Sequence, residues 1–172
     1  MSASSLPAAA SGWRWLPLTV AVIALDQASK AWMLHHFFLF ERVHLLPVLD
    51  IILTYNTGAA FSLFADSPAH WRNALLIGFS TVAIVIVAAL LWKQLRALTV
   101  TGIALSLILG GAAGNLWDRV ASGRVVDFLL FYIKRYQWPV FNLADSSIVI
   151  GAGLLVIEIL FHRSPADETP GA

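Results

Sequence analysis

Apolar residues in this chain fall into four long runs separated by polar links. A helix needs about 20 apolar residues to cross roughly 30 Å of hydrocarbon, and each run meets that length. The windows are 15–34, 74–92, 98–116 and 140–161. The second contains no charged residue. The first carries Asp26, Gln27 and Lys30, the third ends in Gly110-Gly111-Ala112-Ala113-Gly114-Asn115, and the fourth carries Asn142 and Asp145. Between the first two runs, residues 37–71 mix β-branched and aromatic positions, broken by Pro47 and by the turn signal Asn56-Thr57-Gly58. That pattern predicts a small sheet or hairpin against the membrane surface. Residues 117–139 are rich in Trp and Tyr, which favour membrane interfaces, and read as a short interfacial helix or loop. The expected fold class is an all-α membrane protein of four transmembrane helices with a small β-sheet.

Composition agrees. Of 172 residues, 59% are hydrophobic and 12% charged, with a mean hydropathy of +0.77. A soluble protein averages about 45–50% apolar and about 25% charged. The length suits one membrane domain, over 13–163, with a disordered N-terminal tail at 1–12 and a C-terminal tail at 164–172. Ala8-Ala9-Ala10 resembles a signal-peptidase site but precedes the apolar stretch, so no cleaved signal peptide is expected. A net charge of +1 offers no field for nucleic acid. The absence of cysteine excludes disulfides, Cys-zinc sites and thiol nucleophiles. Orientation stays open on charge. With both termini inside, the inside holds Arg14, Lys93, Arg96 and Arg163, and the outside holds Arg42, Arg72, Arg119, Arg124, Lys134 and Arg135. Only the shortness of the basic link between the second and third helices argues for it.

Small residues recur at every fourth position of the third helix: Gly102, Ser106, Gly110 and Gly114. They predict a seam for close helix approach.

An ionisable residue inside a membrane span is costly and marks function by default. Asp26 and Lys30 share one helix face, as do Asn142 and Asp145, by their spacing. Asn115, Asp118 and Arg119 close the third helix, and Asp127 lies in the apolar stretch Gly123 to Phe131. With four crossings, all these groups converge at one membrane face. Three acids, Asp118, Asp127 and Asp145, are candidates for a working pair. Two carboxylates within hydrogen-bond reach cannot both ionise, so one serves as acid and the other as base. Asp118 has Arg119 beside it and reads as an acid held ionised by a cation. Asp127 and Asp145 lack an adjacent cation and make the better acid/base pair. Asp26–Lys30 also reads as a structural ion pair, and Asn115 and Asn142 as interhelical hydrogen-bonders.

Other chemistries lack their residues. No His-Glu-x-x-His motif supports a zinc protease, and no histidine among His35, His36, His44, His70 and His162 lies in a helix facing a buried serine. A small transporter using the acids as a proton relay is the alternative class, but no inverted repeat appears. A non-enzymatic scaffold is a third.

Five blocks stand in order: Asp26-Gln27-x-x-Lys30, Asn56-Thr57-Gly58-Ala59-Ala60-Phe61, Gly110 to Asn115 with Asp118-Arg119, Val125-Val126-Asp127-Phe128, and Phe141-Asn142-x-Ala144-Asp145-Ser146. Together they resemble bacterial lipoprotein signal peptidase, signal peptidase II. The resemblance implies a multi-pass aspartyl endopeptidase of the bacterial inner membrane. It implies both termini in the cytoplasm, a site near the outer leaflet and an extracytoplasmic sheet, at 41–66, cradling the substrate. The dyad would be Asp127 and Asp145, with Asp26, Lys30, Asn56, Gly58, Asn115, Asp118, Arg119 and Asn142 binding substrate or bracing the dyad. The implied substrate is a prolipoprotein, cut N-terminal to a diacylglyceryl-modified cysteine, with membrane lipid around a monomer and neither metal nor cofactor.

Overall fold

A computed structural model describes residues 12–58, 69–94 and 99–161. The tails expected at 1–12 and 164–172 lie outside these residues, except that Gly12 opens a short 3-10 turn, Gly12–Trp15. Four α-helices follow: α1 (Leu16–His36), α2 (Ala69–Trp92), α3 (Val100–Ser122) and α4 (Leu143–Phe161). Their ends follow local chemistry. Pro17 sits in the first turn of α1, where its missing N–H leaves no bond unmade. Thr99 caps α3 by accepting the Gly102 N–H at 3.0 Å, and Gly123, at φ 72°, closes it in the left-handed region.

Two boundaries differ from the sequence pattern. The third helix runs on past residue 116 to Ser122, carrying Asp118 and Arg119 on its last turns. The segment 117–139 is therefore the end of α3 followed by two strands, with Trp117, Tyr136 and Trp138 exposed. Three helical stretches, His70–Trp92, Val100–Ser122 and Leu143–Phe161, are long and apolar enough to cross a membrane. The polar residues of α1 distinguish it from them. Its buried positions include Thr19, Asp26 and Lys30, so polar groups run along its inward stripe, with Asp26 and Lys30 in the site.

The third helix is the centre of the bundle. Half of its most apolar window is buried (50%), against 6% for α2 and 11% for α4. The expected small-residue seam faces α1. A Cβ added at Gly110 would lie 2.7 Å from that of Val22, and one at Gly114 would lie 2.5 Å from Oδ2 of Asp26. Thr19 donates to the Ser106 carbonyl at 3.5 Å, and the Trp15 ring covers Gly102. A second face of α3 meets α4, where Gly111 touches the Ala144 carbonyl and Gly151 in turn touches that of Ala104. Backbones approach this closely only where a side chain is missing.

The sheet has the order β1-β2-β3-β4 and is antiparallel throughout, with β1 Arg42–Leu46, β2 Leu49–Asn56, β3 Val125–Ile133 and β4 Tyr136–Gln137. Its register pairs Thr54 with Asp127, beyond an irregularity between Ile51 and Thr54. Val126 and Phe128 of β3 and Leu53 of β2 pack on Met33 of α1, which ties the sheet to the bundle.

Candidate active site

Every candidate residue from the sequence lies where the sheet meets the ends of α1, α3 and α4, and two connected layers can be told apart. The inner layer is built on Lys30, which is 2% exposed. Its ammonium meets Asp26 Oδ2 at 2.7 Å, Asp118 Oδ2 at 2.8 Å and Asn115 Oδ1 at 3.1 Å. An ammonium has three donors, and all three are used. Gln27 adds its amide, donating to Asp118 Oδ1 at 3.0 Å and Asp26 Oδ2 at 3.1 Å. Asp26 Oδ1 accepts the Ala144 N–H at 3.0 Å, which pins the start of α4 to α1. Asp118 Oδ2 also accepts the Val126 N–H at 3.4 Å, at the start of β3. The cation that holds Asp118 is thus Lys30, across the bundle, and not its sequence neighbour Arg119.

The outer layer holds Asp127 and Asp145. Asn142 caps α4, accepting the Asp145 N–H at 2.9 Å, while Asp145 Oδ2 accepts the Asn142 N–H at 3.3 Å. This reciprocal pair is a capping box with aspartate at the third helical position. It fixes the Asp145 carboxylate at the head of the helix. The same Asn142 side chain donates to Asp127 Oδ1 at 2.7 Å and to the Val126 carbonyl at 3.2 Å. Asn115 completes the frame: its Nδ2 donates to Asp145 Oδ1 at 2.7 Å, and its Oδ1 receives both Lys30 and Asn142 Nδ2. One amide therefore links the two layers.

Asp127 comes from β3 and is 1% exposed. Burial first, and the neighbouring Asp145 charge second, push its carboxyl from the ordinary 3.8 up to about 7. The side-chain amides of Asn56 and Asn142 and the charge of Lys30 pull the other way without offsetting the rise. Asn56 is aimed by an Asx turn, its Oδ1 accepting the Gly58 N–H at 2.8 Å. Gly58, at φ 85°, sits in the left-handed region that favours glycine. Arg72 on α2 donates to the Thr57 carbonyl at 2.8 Å and clips this turn to the bundle. The rest of that block, Ala59 to Phe61, lies outside the described residues.

Arg119 stands apart. Its guanidinium donates to the Asn115 carbonyl at 3.3 Å and feels the charges of Asp145, Asp127 and Asp118, yet forms no ion pair among the described residues. Asp145 opens into a groove of about 360 Å³, lined by Trp138, Phe141, Ser146, Val149 and Ile150, mostly apolar. Site selection from sequence missed Gln27. Its signal was a polar amide, beside Asp26, inside an apolar run. Trp138 was missed as a groove wall because nothing in its spacing ties it to Asp145, and Phe141, though in the same block as Asp145, was given no role.

Two acids held by shared amides, one of them protonated near neutrality, at the mouth of an apolar groove, are what acid/base hydrolysis of an amide requires. Comparison with known proteins points the same way. The lipoprotein signal peptidase of Yersinia enterocolitica is 38% identical over 165 residues, covering 96% of each chain. That of Yersinia pestis (strain Pestoides F) is 41% identical over 152 residues, covering 88% of this chain and 89% of its own. A solved structure titled as a bacterial membrane enzyme, obtained by the in meso method at 1.9 Å, superposes with a TM-score of 0.76 at 29% identity, covering 87% of this chain and 94% of its own. A second, at 2.3 Å, gives 0.77 at 28% identity, covering 92% and 94%. The family profile described as signal peptidase (SPase) II matches residues 18–161. On this match, over nearly the whole helical core, the chain belongs to the signal peptidase II family of proteases.

Proposed function

We propose that this protein is an intramembrane aspartyl endopeptidase that cuts prolipoproteins on the N-terminal side of a diacylglyceryl-modified cysteine, with Asp127 and Asp145 as its catalytic pair. The observation that carries the reading is Asn142. One side chain holds Asp127 at 2.7 Å and caps the helix turn that presents Asp145.

The reaction follows from the protonation states. Asp127, with its carboxyl raised to about 7, holds a proton. Ionised Asp145 takes a proton from water as the water oxygen bonds to the scissile carbonyl carbon. Asp127 gives its proton to the carbonyl oxygen, and a tetrahedral diol results. In the second half, Asp127 removes a proton from one hydroxyl as the carbonyl re-forms. Asp145 gives its proton to the nitrogen as the carbon–nitrogen bond breaks. Both acids return to their starting states, and no metal enters. Asn56, Asn115, Asn142 and Gly58 set the geometry, Asp26, Lys30 and Asp118 hold the frame, and Arg119 lends positive charge to the pair.

In this reading α1 is the fourth crossing. Its 21 residues span about 31 Å at the helical rise, enough for the hydrocarbon core. An even number of crossings puts both termini on one side, the cytoplasm. The sheet and the dyad then stand at the outer leaflet of a bacterial inner membrane. A substrate held there by its signal helix and by two acyl chains has its scissile bond in register. Each buried methylene adds roughly 0.8 kcal/mol of anchoring, so the lipid serves orientation as well as affinity.

The test is incubation of the purified monomer with a diacylglyceryl-modified prolipoprotein. We expect a smaller product cut just before the cysteine, and far slower cutting of the same precursor with a bare cysteine at saturation. Equal rates for the two precursors would remove the lipoprotein assignment.

A further inference from the structure

A second polar cluster lies outside the dyad, on the β1–β2 hairpin. Its centre is Asp50, fully buried (0% exposed) and paired in register with His44 across the strands. Arg42 Nε donates to Asp50 Oδ2 at 2.5 Å, and His44 Nδ1 engages Asp50 Oδ1. Burial acts to raise the Asp50 carboxyl, but the hydrogen bonds from His44 and Arg42 win and hold it below the usual range, as an anion. Tyr132 of β3 closes the group: its ring lies 5.6 Å under the Arg42 guanidinium and stacks on His44, and its hydroxyl is 3.3 Å from His44 Nδ1.

What this arrangement presents outward is one-sided. Both Asp50 oxygens are occupied and buried, so the carboxylate offers no acceptor to the surface. Arg42 commits only its Nε to Asp50, which leaves the paired Nη groups to face the surface, 40% of the side chain being exposed. His44 commits Nδ1, so its Nε2 edge projects from a side chain that is 76% exposed. A buried anion that orients a guanidinium toward the surface, with an imidazole edge beside it, makes a polar face suited to a phosphodiester. Two shallow cavities of about 360 and 340 Å³ adjoin these groups, the first lined by Arg42 and His44 and the second by His44, Leu45, Leu46, Pro47 and Tyr132. Donors form one wall and apolar side chains the other. Free phosphate uses only the first wall.

The surroundings decide between a soluble anion and a lipid. Every residue of β1 is exposed, including the apolar Val43, Leu45 and Leu46, and Ile133 is exposed on β3. In a chain with membrane-crossing helices, such an edge borders lipid. The site is also distinct from the dyad. Asp50 pairs with Leu130, whereas Thr54 pairs with Asp127, which puts the cluster roughly 10 Å further along the sheet at the strand rise.

We propose that Arg42, His44 and Tyr132 form a headgroup site for an anionic phospholipid, with the phosphodiester on the Arg42 guanidinium beside the His44 edge and the glycerol and upper acyl chain on Leu45, Leu46 and Pro47. The bound lipid would hold the sheet at headgroup depth. The inference uses only the membrane setting of the sheet and not the protease reading.

The experiment is a lipid-retention measurement on the full chain in detergent, read by native mass spectrometry without any cleavage step. The probes are phosphatidylglycerol, phosphatidylcholine, glycerophosphoglycerol without acyl chains, and inorganic phosphate. Phosphatidylglycerol should be retained about tenfold over phosphatidylcholine, whose choline cation offsets the charge of the same phosphodiester and is repelled by Arg42. The two chainless probes should bind far more weakly. Arg42→Gln with His44→Gln keeps amide donors for Asp50 and should erase the preference; circular dichroism checks its fold. Equal retention of both lipids, or an unchanged preference in the folded variant, overturns the site. Chainless probes binding as well as the lipid overturn the lipid assignment.

Discussion

Two carboxylate pairs lie side by side at the sheet end of this bundle, and they differ in what stands between them. Asp26 and Asp118 share a lysine, at 2.7 and 2.8 Å. Asp127 and Asp145 share an asparagine, through its side-chain nitrogen to one and its oxygen to the backbone of the other. A cation gives both acids of a pair an opposite charge to lie against. An amide carries no charge to offset, so the second pair keeps its ionisation problem and resolves it by holding a proton. The same residue type is thus frame in one layer and, in the proposed mechanism, reagent in the next. Asn115 joins them, with Oδ1 on the lysine and Nδ2 on Asp145.

The largest expected break comes from the amide-linked pair. Asp127→Asn and Asp145→Asn keep shape and hydrogen-bonding capacity but cannot move a proton. Each should lower kcat by at least about 10³-fold, within the range for a lost acid or base. Helix content by circular dichroism should be unchanged. Asp118→Asn should reduce activity far less, and full activity in either dyad variant with a dead Asp118→Asn would exchange the roles of the two pairs.

The cation-linked pair should break in stability first. Lys30→Met leaves Asp26 and Asp118 buried with no cation, a change that costs roughly 3–5 kcal/mol when one partner of a buried ion pair is removed. Thermal unfolding in detergent should move sharply downward. A variant that melts like the native chain would show that the contacts of Lys30 with the two carboxylates do not hold the frame.

Much of this arrangement was legible before any coordinates. The helices followed from apolar run length, and the seam of Gly102, Ser106, Gly110 and Gly114 follows from four-residue spacing, because a helix puts such positions on one face. The identity of Asp118's cation was not legible. Arg119 is adjacent in sequence, but neighbours on a helix point about 100° apart, while Lys30 arrives from another helix through packing that no local pattern records. The strand holding Asp127 was hidden for a different reason. Val125 to Leu130 is buried nearly throughout, so it shows no polar–apolar alternation and reads like a stretch of buried helix. The Asp50 cluster was invisible because strand register, and not spacing, brings Arg42, His44 and Tyr132 to one carboxylate.

Asn142 does two jobs that can be separated. Serine caps a helix about as well as asparagine, but its hydroxyl is too short to bridge to Asp127. Asn142→Ser should therefore keep the melting temperature within a few degrees while kcat falls about 10²-fold, a loss comparable to removing one preorganised donor. Asn142→Ala should lose both. Equal melting points for the two variants would mean that the cap contributes nothing here.

The smallest effect concerns the proton itself. Asp127 has its carboxyl raised to about 7, so the reactive form, with that acid protonated, is full below neutrality and is lost above it. On the alkaline side kcat/KM should fall about tenfold per pH unit, with an apparent midpoint near 7. Stability should follow the same sign. Between the ordinary 3.8 and about 7 the folded chain holds a proton that the unfolded chain has released, so stability falls as pH rises through that window. Asp127→Asn should flatten this part of the melting curve. Asn56 provides the finer test. Its amide pulls the Asp127 carboxyl downward, so Asn56→Ala should move the alkaline limb to higher pH even as the overall rate drops. A merely structural Asn56 would lower the rate and leave the midpoint in place. A limb that moved to lower pH would contradict the hydrogen bond to Asp127 and give the proton-holding role to another acid.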